Sequence, residues 1–260
     1  MKVRGFVVRE VPVGESDRII NILTADLGLV TASVHRARRQ SSALLLSTQV
    51  YSLSDFELFQ NKGHTSVNAA ELVEPFLGLQ QDVERLVCAA HLAEVLLDAS
   101  RDDSAQPELY KLWAYCLQAL QQTPDPFLAG HIAQLRLLSE IGFAPRLGNC
   151  VACSRPILAG QPLLFSVQSC GSICGRPECR SLGDDARPIS GGTWSCLKHS
   201  LEAPLTRLFQ CQVSPEIRQE FCAISERYLV HQMEKSYEKL KILGQLSSLA
   251  EQASGNCGRP

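Results

Sequence analysis

The sequence is short of several things, and each shortage closes a class of function. No stretch of the 260 residues approaches the roughly 18 uncharged apolar residues a membrane-spanning helix needs, so no membrane partner is expected. The opening MKVRGFVVREVPVGESDR carries charges every few residues and no apolar core of the kind a secretory leader has, so a cytoplasmic protein is expected. There is no G-x-x-x-x-G-K-S/T loop, no G-x-G-x-x-G after a strand, no G-x-S-x-G and no H-E-x-x-H. No catalytic constellation replaces them, and a non-enzymatic protein is expected. Aromatic residues are only 6%, which leaves few platforms for stacking bases. Nor is there an excess of positive charge: 25 Lys and Arg against 27 Asp and Glu give a net charge of -2. That rules out a polycationic tail but not a local basic patch, because a nucleic acid responds to the local field.

What is present is organised in blocks. Residues 1–75 read as strands and turns. VRGFVVREV, LGLVTASVHRA, STQVYSLSDFELFQ and TSVNAAELVEP carry β-branched and aromatic residues near period two, with Val50, Leu53, Phe56 and Leu58 as inward candidates. ESDRIINILTADLG fits helix or strand; Ile19, Ile20 and Ile22 favour the strand. Such spacing suggests a small barrel or sandwich. From about residue 79 the apolar period becomes three to four, as in QDVERLVCAAHLAEVLLDAS, PELYKLWAYCLQALQQT and DPFLAGHIAQLRLLSEIGFAP. Helical patterning returns in GGTWSCLKHSLEAPLTRLF and PEIRQEFCAISERYLVHQMEKSYEKLKIL. The tail ASGNCGRP has no pattern, and residues 244–260 are expected to be a flexible end.

Cysteine is the abundant oddity. Five of eleven fall between Gly148 and Cys179. An odd total does not suit a complete disulfide framework, and in a cytosolic protein the C-x2-C spacing reads as metal or redox chemistry. Cys150 and Cys153 form that pair; Cys174 and Cys179 complete C-x2-C…C-x4-C, with Cys170 as a fifth candidate. Four thiolates suit tetrahedral zinc, and the Gly, Asn, Ser and Pro flanks suit a metal loop better than the helix start of a redox dithiol. A structural zinc ion is therefore expected. Cys88, Cys116 and Cys222 lie on apolar helix faces as small hydrophobes. Cys196 and His199 form a C-x2-H pair, an alternate ligand pair.

Arg36, Arg38 and Arg39, with His35, follow a predicted strand end in SVHRARRQSS. Lys2, Arg4, Arg9 and Arg18 lie in neighbouring strands. On a five-stranded barrel of OB type these side chains are expected to converge on one phosphate-attracting face; the bland alternative is a solvated loop.

Taken in order, four segments resemble the RecO family of bacterial recombination mediators: VRGFVVREVPVGESDRIINILTADLGLV, the basic HRARRQSS, FLAGHIAQLRLLSEIGFAPRLGNC and the cysteine stretch, across about residues 2–243. Cys150, Cys153, Cys174 and Cys179 fall on that family's ligand positions, whereas Cys170 falls where a small residue is usual. The second pair is spaced by four residues where two is common. The resemblance implies an α+β protein: an OB-type nucleic-acid-binding barrel at 1–78, a helical domain at 79–149 and 180–243, and an inserted zinc-ribbon-like finger at 150–179. It also implies binding to single- and double-stranded DNA, annealing of complementary strands, and loading of recombinase with RecR onto single strands coated by SSB, in the cytoplasm at the nucleoid. The implied DNA contacts are Lys2, Arg4, Arg18, His35, Arg36, Arg38 and Arg39. A zinc-ribbon scaffold that only bridges proteins, or a nuclease or deaminase with an unrecognised zinc site, are the readings from other classes.

Overall fold

A computed structural model describes residues 1–37, 42, 44–100, 104–158, 160–180 and 185–244. The chain divides into two compact units, one from Met1 to Gln122 and the other from Thr123 onward.

The first unit begins with five strands: β1 (Lys2–Val13), β2 (Asp17–Thr24), β3 (Gly28–Val34), β4 (Leu53–Asn61) and β5 (His64–Glu74). They close into a barrel in the order β1-β2-β3-β5-β4. All neighbours are antiparallel except β3 and β5, which meet in parallel at Ser33 and Ser66. This is the Greek-key order of an OB-type barrel. The ambiguous DRIINILT segment is β2, because alternation sends Ile20 and Ile22 inward with Val7, Ala32, Val34, Phe56, Leu58 and Val67. Closure requires a glycine in β1: a Cβ on Gly5 would meet Ile22 Cγ2 at 2.4 Å and the Leu23 carbonyl oxygen at 2.9 Å. A bulge follows between Val7 and Arg9, so Gly5 through Val8 are all buried. Phe6 points away from the barrel interior cluster and meets Tyr110 with ring centroids 5.1 Å apart.

Tyr110 belongs to α2 (Pro107–Gln122), which lies with α1 (Val83–Ala99) in the barrel's unit. Asp82 caps α1 by accepting from the Glu84 and Arg85 amides. One stretch departs from its expected strand: Ser47–Tyr51 is a run of turns. Ser52 Oγ donates to the Ser47 and Gln49 carbonyls, Ser54 Oγ donates to Ser47, and Tyr51 takes a left-handed φ of 70°. Hydroxyl side chains here compete with ladder hydrogen bonds, and Val50 is half-buried on a turn, not inward on a strand.

The second unit is built around α3 (Pro126–Glu140), buried on nearly every face and capped by Asp125, whose carboxylate accepts from the Leu128 amide. Against it lie α5 (Gly191–Glu202) and α6 (Pro215–Met233), whose capping Ser190 and Ser214 accept from the Thr193 and Ile217 amides. Gln134 Nε2 donates to both Oγ and the carbonyl of Ser225 at 2.8 Å, which fixes the register of α3 on α6. Arg218 of α6 grips Asp125 through Nε and Nη2 at 2.6 and 2.9 Å. Between α3 and α5 the chain forms a small sheet, β7-β6-β8, from β6 (Leu163–Ser166), β7 (Gly171–Cys174) and β8 (Arg187–Pro188), with the single turn α4 (Pro177–Arg180) after β7. Residues 245–260, including the expected flexible tail and Cys257, lie outside the described residues.

Candidate metal centre and basic surface

The cysteine stretch folds so that distant sulfurs meet. Cys150 opens a tight loop in which the Cys150 amide donates to Arg155 and the Ser154 amide donates back to Cys150, both at 2.8 Å. Ser154 adopts a left-handed φ of 61° to close it. The loop is pinned to β7: the Val151 amide donates to Ser172, and the Ser172 amide to Arg146, both at 2.9 Å. Gly171 permits that approach, since a Cβ there would stand 2.4 Å from the Arg146 carbonyl oxygen. β7 then delivers Cys174, and α4 delivers Cys179.

As a result the Sγ atoms of Cys150, Cys153, Cys174 and Cys179 all lie within 4.8 Å of one another. Cys150, Cys174 and Cys179 are buried and Cys153 is half-buried. Cys153 and Cys174 Sγ stand 3.7 Å apart, too far for a disulfide. A tetrahedron with zinc–sulfur bonds of about 2.3 Å has edges of about 3.8 Å, so the Cys153–Cys174 pair already stands at that edge length. The electrostatics agree with the geometry. Burial works to raise the Cys150 pKa, but backbone amides of Cys174, Cys153 and Ala152 stabilise its thiolate and bring it down to about 6. Burial and the neighbouring sulfurs hold Cys179 up. Four like charges in one small space need a cation to share them, and four soft sulfurs select a soft or borderline metal ion. The four cysteines can therefore bind a metal ion, and as a closed donor set they suit a structural role.

Cys170, the fifth candidate, stands apart from the cluster. It occupies the β6–β7 turn at φ 53°, where its sulfur accepts from Gln232 Nε2 at 3.0 Å. His199, proposed with Cys196 as an alternate ligand pair, donates from Nε2 to the Leu208 carbonyl at 3.0 Å. Among the described residues the Cys150 cluster is the one metal-capable group of three or more ligands.

Among the described residues the basic candidates differ in their surroundings. Arg4 is exposed, but its Nε and Nη2 hold Asp55 at 2.7 and 2.8 Å across β1 and β4. That pairing lowers the Asp55 pKa. Lys2 stands opposite Glu57 in the same ladder. The cleft of about 630 Å³ beside them also carries Asp55, Glu57 and Glu71, so acids outnumber bases there. Arg18 overturns the expectation for it. Its side chain is only 7% exposed, and Nη1 donates to Glu10 at 2.7 Å and to the Thr48 carbonyl at 3.3 Å. An inward Arg18 follows from the same alternation that buries Ile20 and Ile22; a guanidinium in that position braces turns and cannot extend an outer surface. His35 and Arg36 are exposed in the turn after β3. Asp17 organises that turn: it accepts from the Arg36 amide at 2.8 Å and lies 2.9 Å from His35 Nδ1. The Arg36 amide first, then His35 and Ser16, pull the Asp17 pKa down to about 2. Arg38 and Arg39 lie outside the described residues.

Reading the sequence missed the Arg4–Asp55 and Arg18–Glu10 pairs. The second was within reach, since a hairpin turning near Gly14–Ser16 sets Glu10 beside β2. The first needed the β1–β4 register, which nothing local specifies.

Two comparisons bear on this assembly. Residues 1–76 match the family model described as Recombination protein O N terminal, and residues 80–241 match Recombination protein O C terminal. A protein of Acetivibrio thermocellus named DNA repair protein RecO is 31% identical over 250 residues, covering 96% of this chain and 98% of its own. Proteins of the same name from Alkaliphilus metalliredigens and Dehalococcoides mccartyi are 28% and 27% identical; they align over 93% and 95% of this chain and over 98% and 96% of their own lengths. With both halves matched by the family models and a 31% identical relative aligned over nearly the whole of both chains, the chain belongs to the RecO family.

Proposed function

We propose that this protein serves DNA repair and homologous recombination by binding DNA through its barrel, residues 1–78, without catalysing a covalent step. Single- and double-stranded DNA are held by phosphate contacts, and base edges stay free, so complementary strands can anneal. The loading of recombinase onto SSB-coated single strands together with RecR rests on membership of the family. The finger, residues 150–179, holds one zinc ion through Cys150, Cys153, Cys174 and Cys179; the ion cross-links a loop to β7 and α4, and its role is to fix the fold.

The observation that carries the reading is the turn after β3 on an OB-type barrel. Asp17 spends its carboxylate on the Arg36 amide and on His35, leaving the Arg36 side chain exposed at the head of the Arg38–Arg39 run. Small barrels of this type carry oligonucleotides on loops and on the face of their second and third strands. Lys2 and Arg4 are weaker contacts, because each faces a carboxylate across the ladder.

A salt titration of single-stranded DNA binding tests this. Each phosphate contact on single strands contributes about 0.7 to the slope of log K against log salt, so Arg36, Arg38 and Arg39 changed together to Ala lower it by about 2. The loss is nearly uniform across DNA sequences, and annealing falls with it. A folded triple variant with the wild-type slope moves the DNA surface elsewhere. Wild-type protein with no measurable affinity for DNA at low salt leaves the protein-bridging scaffold as the better reading.

A further inference from the structure

The zinc cluster leaves another close pair of sulfurs unexplained. Cys196 lies on α5 and is buried; Cys211 follows the short 3-10 turn Leu208–Gln210 and is half-buried. Their Sγ atoms stand 3.8 Å apart, although fifteen residues separate them in sequence. We propose that Cys196 and Cys211 form a reversible dithiol–disulfide site, oxidised by a low-molecular-weight disulfide of the glutathione class, with Cys211 as the attacking thiol and Cys196 as the resolving one.

Several features of the fold point the same way. The pair is no metal site, since only two sulfurs meet and His199, one turn along α5, gives its Nε2 proton to the Leu208 carbonyl. The sulfurs need to close from 3.8 Å to about 2.0 Å, a shift within the reach of χ1 rotation and small backbone adjustment. The backbone that must adjust is the irregular one: Cys211 is extended, at φ -69° and ψ 125°, in a segment without ladder bonds before Ser214 caps α6. Access is asymmetric. Cys211 lines a cavity of about 350 Å³ with Asp125, Phe209, Gln210 and Val213, whereas Cys196 is buried and does not line that cavity.

Protonation divides the roles in the same sense. The hydrogen bond between the two sulfurs brings the Cys211 pKa down to about 6, with His199 adding a favourable field; that hydrogen bond and burial push Cys196 up. The thiolate is the nucleophile in exchange. Cys116, buried alone, has its thiol pushed up by burial and is inert by comparison.

The chemistry balances without any other reactant. The Cys211 thiolate attacks one sulfur of the small disulfide; the new S–S bond forms as the old one breaks and one small thiolate leaves. Cys196, giving up its proton to a departing thiolate, then attacks Cys211 Sγ and expels the second. Two protein thiols are oxidised by two electrons, one small disulfide is reduced, and both protons end on its two thiols.

The experiment is peptide mapping of the full-length reduced protein after exposure to glutathione disulfide and rapid alkylation. The expected product is a peptide cross-linked between Cys196 and Cys211, lost on treatment with dithiothreitol. Cys211→Ser abolishes it and leaves no adduct on Cys196, while Cys196→Ser accumulates the glutathione adduct on Cys211. Should either variant fail to fold, iodoacetamide labelling of the wild type decides: Cys211 is expected to react at least about tenfold faster than Cys196 at neutral pH. Equal labelling rates, a first adduct on Cys196, or oxidation confined to Cys150, Cys153 or Cys257 overturns the proposal.

Discussion

Arg18 makes the sharpest test of how charge is used in the barrel. Its guanidinium reaches Glu10 and the Thr48 and Ala37 carbonyls from a side chain 7% exposed, while Glu10 keeps 35% of its exposure. Arg18→Ala removes two buried methylenes, worth roughly 1.6 kcal/mol at about 0.8 each. It also removes a charge-assisted hydrogen bond to a carboxylate that stays partly hydrated, about 1 kcal/mol. The expected loss is about 2.5 kcal/mol for Ala, and about 1 for Arg18→Met, which keeps the stem. Trp113 lies in the same unit and is buried, so a Trp194→Phe background makes its fluorescence report that unit alone. With a urea dependence of about 2 kcal/mol/M, the midpoint falls by about 1.3 M for Ala and about 0.5 M for Met. Among molecules that remain folded, the salt slope of DNA binding should not change. A wild-type midpoint in Arg18→Ala, or a normal midpoint with a reduced slope, would refute the structural role and return Arg18 to the DNA surface.

The remaining predictions address the finger and the β3 turn. Metal analysis of the purified protein should find about one zinc per chain, and Cys150→Ser should lose it and destabilise the second unit by at least about 3 kcal/mol, read by thermal unfolding. Purified protein that carries no metal, together with a Cys150→Ser variant that melts like the wild type, would end that reading. Asp17 has its pKa lowered to about 2 from an ordinary 3.8, so its hold on the turn is complete above about pH 4 and is lost as the pH falls through 2. NMR titration should find that low midpoint, and His35→Ala should raise it; an Asp17 that titrates near 4 in the wild type would contradict the turn geometry.

Much of this fold was legible because it is encoded locally. Period-two alternation marked Phe56 and Leu58 as inward, and they are buried; Leu53, marked with them, is half-buried. Asp82, Asp125, Ser190 and Ser214 each cap an observed helix, a local signal that apolar periodicity alone does not use. The C-x2-C loop was legible for the same reason, since two residues between ligands suffice to aim both sulfurs. What stayed hidden depends on register between distant segments. Whether Cys170 or Cys174 joined the cluster turned on the four-residue tip of a hairpin, which put Cys170 in the turn and Cys174 at the strand end. Cys196 and Cys211 meet only because Pro204 ends α5 and the chain doubles back through Leu208–Gln210. The Ser47–Tyr51 turns also escaped, because alternating apolar residues signalled a strand while serine hydroxyls took the backbone bonds.

These pairings change how a basic barrel should be counted. Seven cationic or titratable residues were candidates for DNA contact, yet the number that matters is how many carry a condensed-ion-releasing charge in the free protein. An arginine already gripped by a carboxylate gains little from a phosphate, because the phosphate must replace Asp55 at Arg4 and leave that carboxylate beside it. The repulsion offsets much of what the new contact gains, and few counterions leave. On the β1–β4 face Asp55, Glu57 and Glu71 therefore act against strand binding even though Lys2 and Arg4 are exposed there. At the β3 turn the logic reverses. Asp17 is the nearby acid, but it accepts a backbone amide and faces His35, so it orders the loop without neutralising the Arg36 side chain. If DNA binds at the β3 turn as proposed, a protein of net charge -2 holds a polyanion in this way: acids are spent on backbone and partners at that turn, and set against arginines on the β1–β4 face.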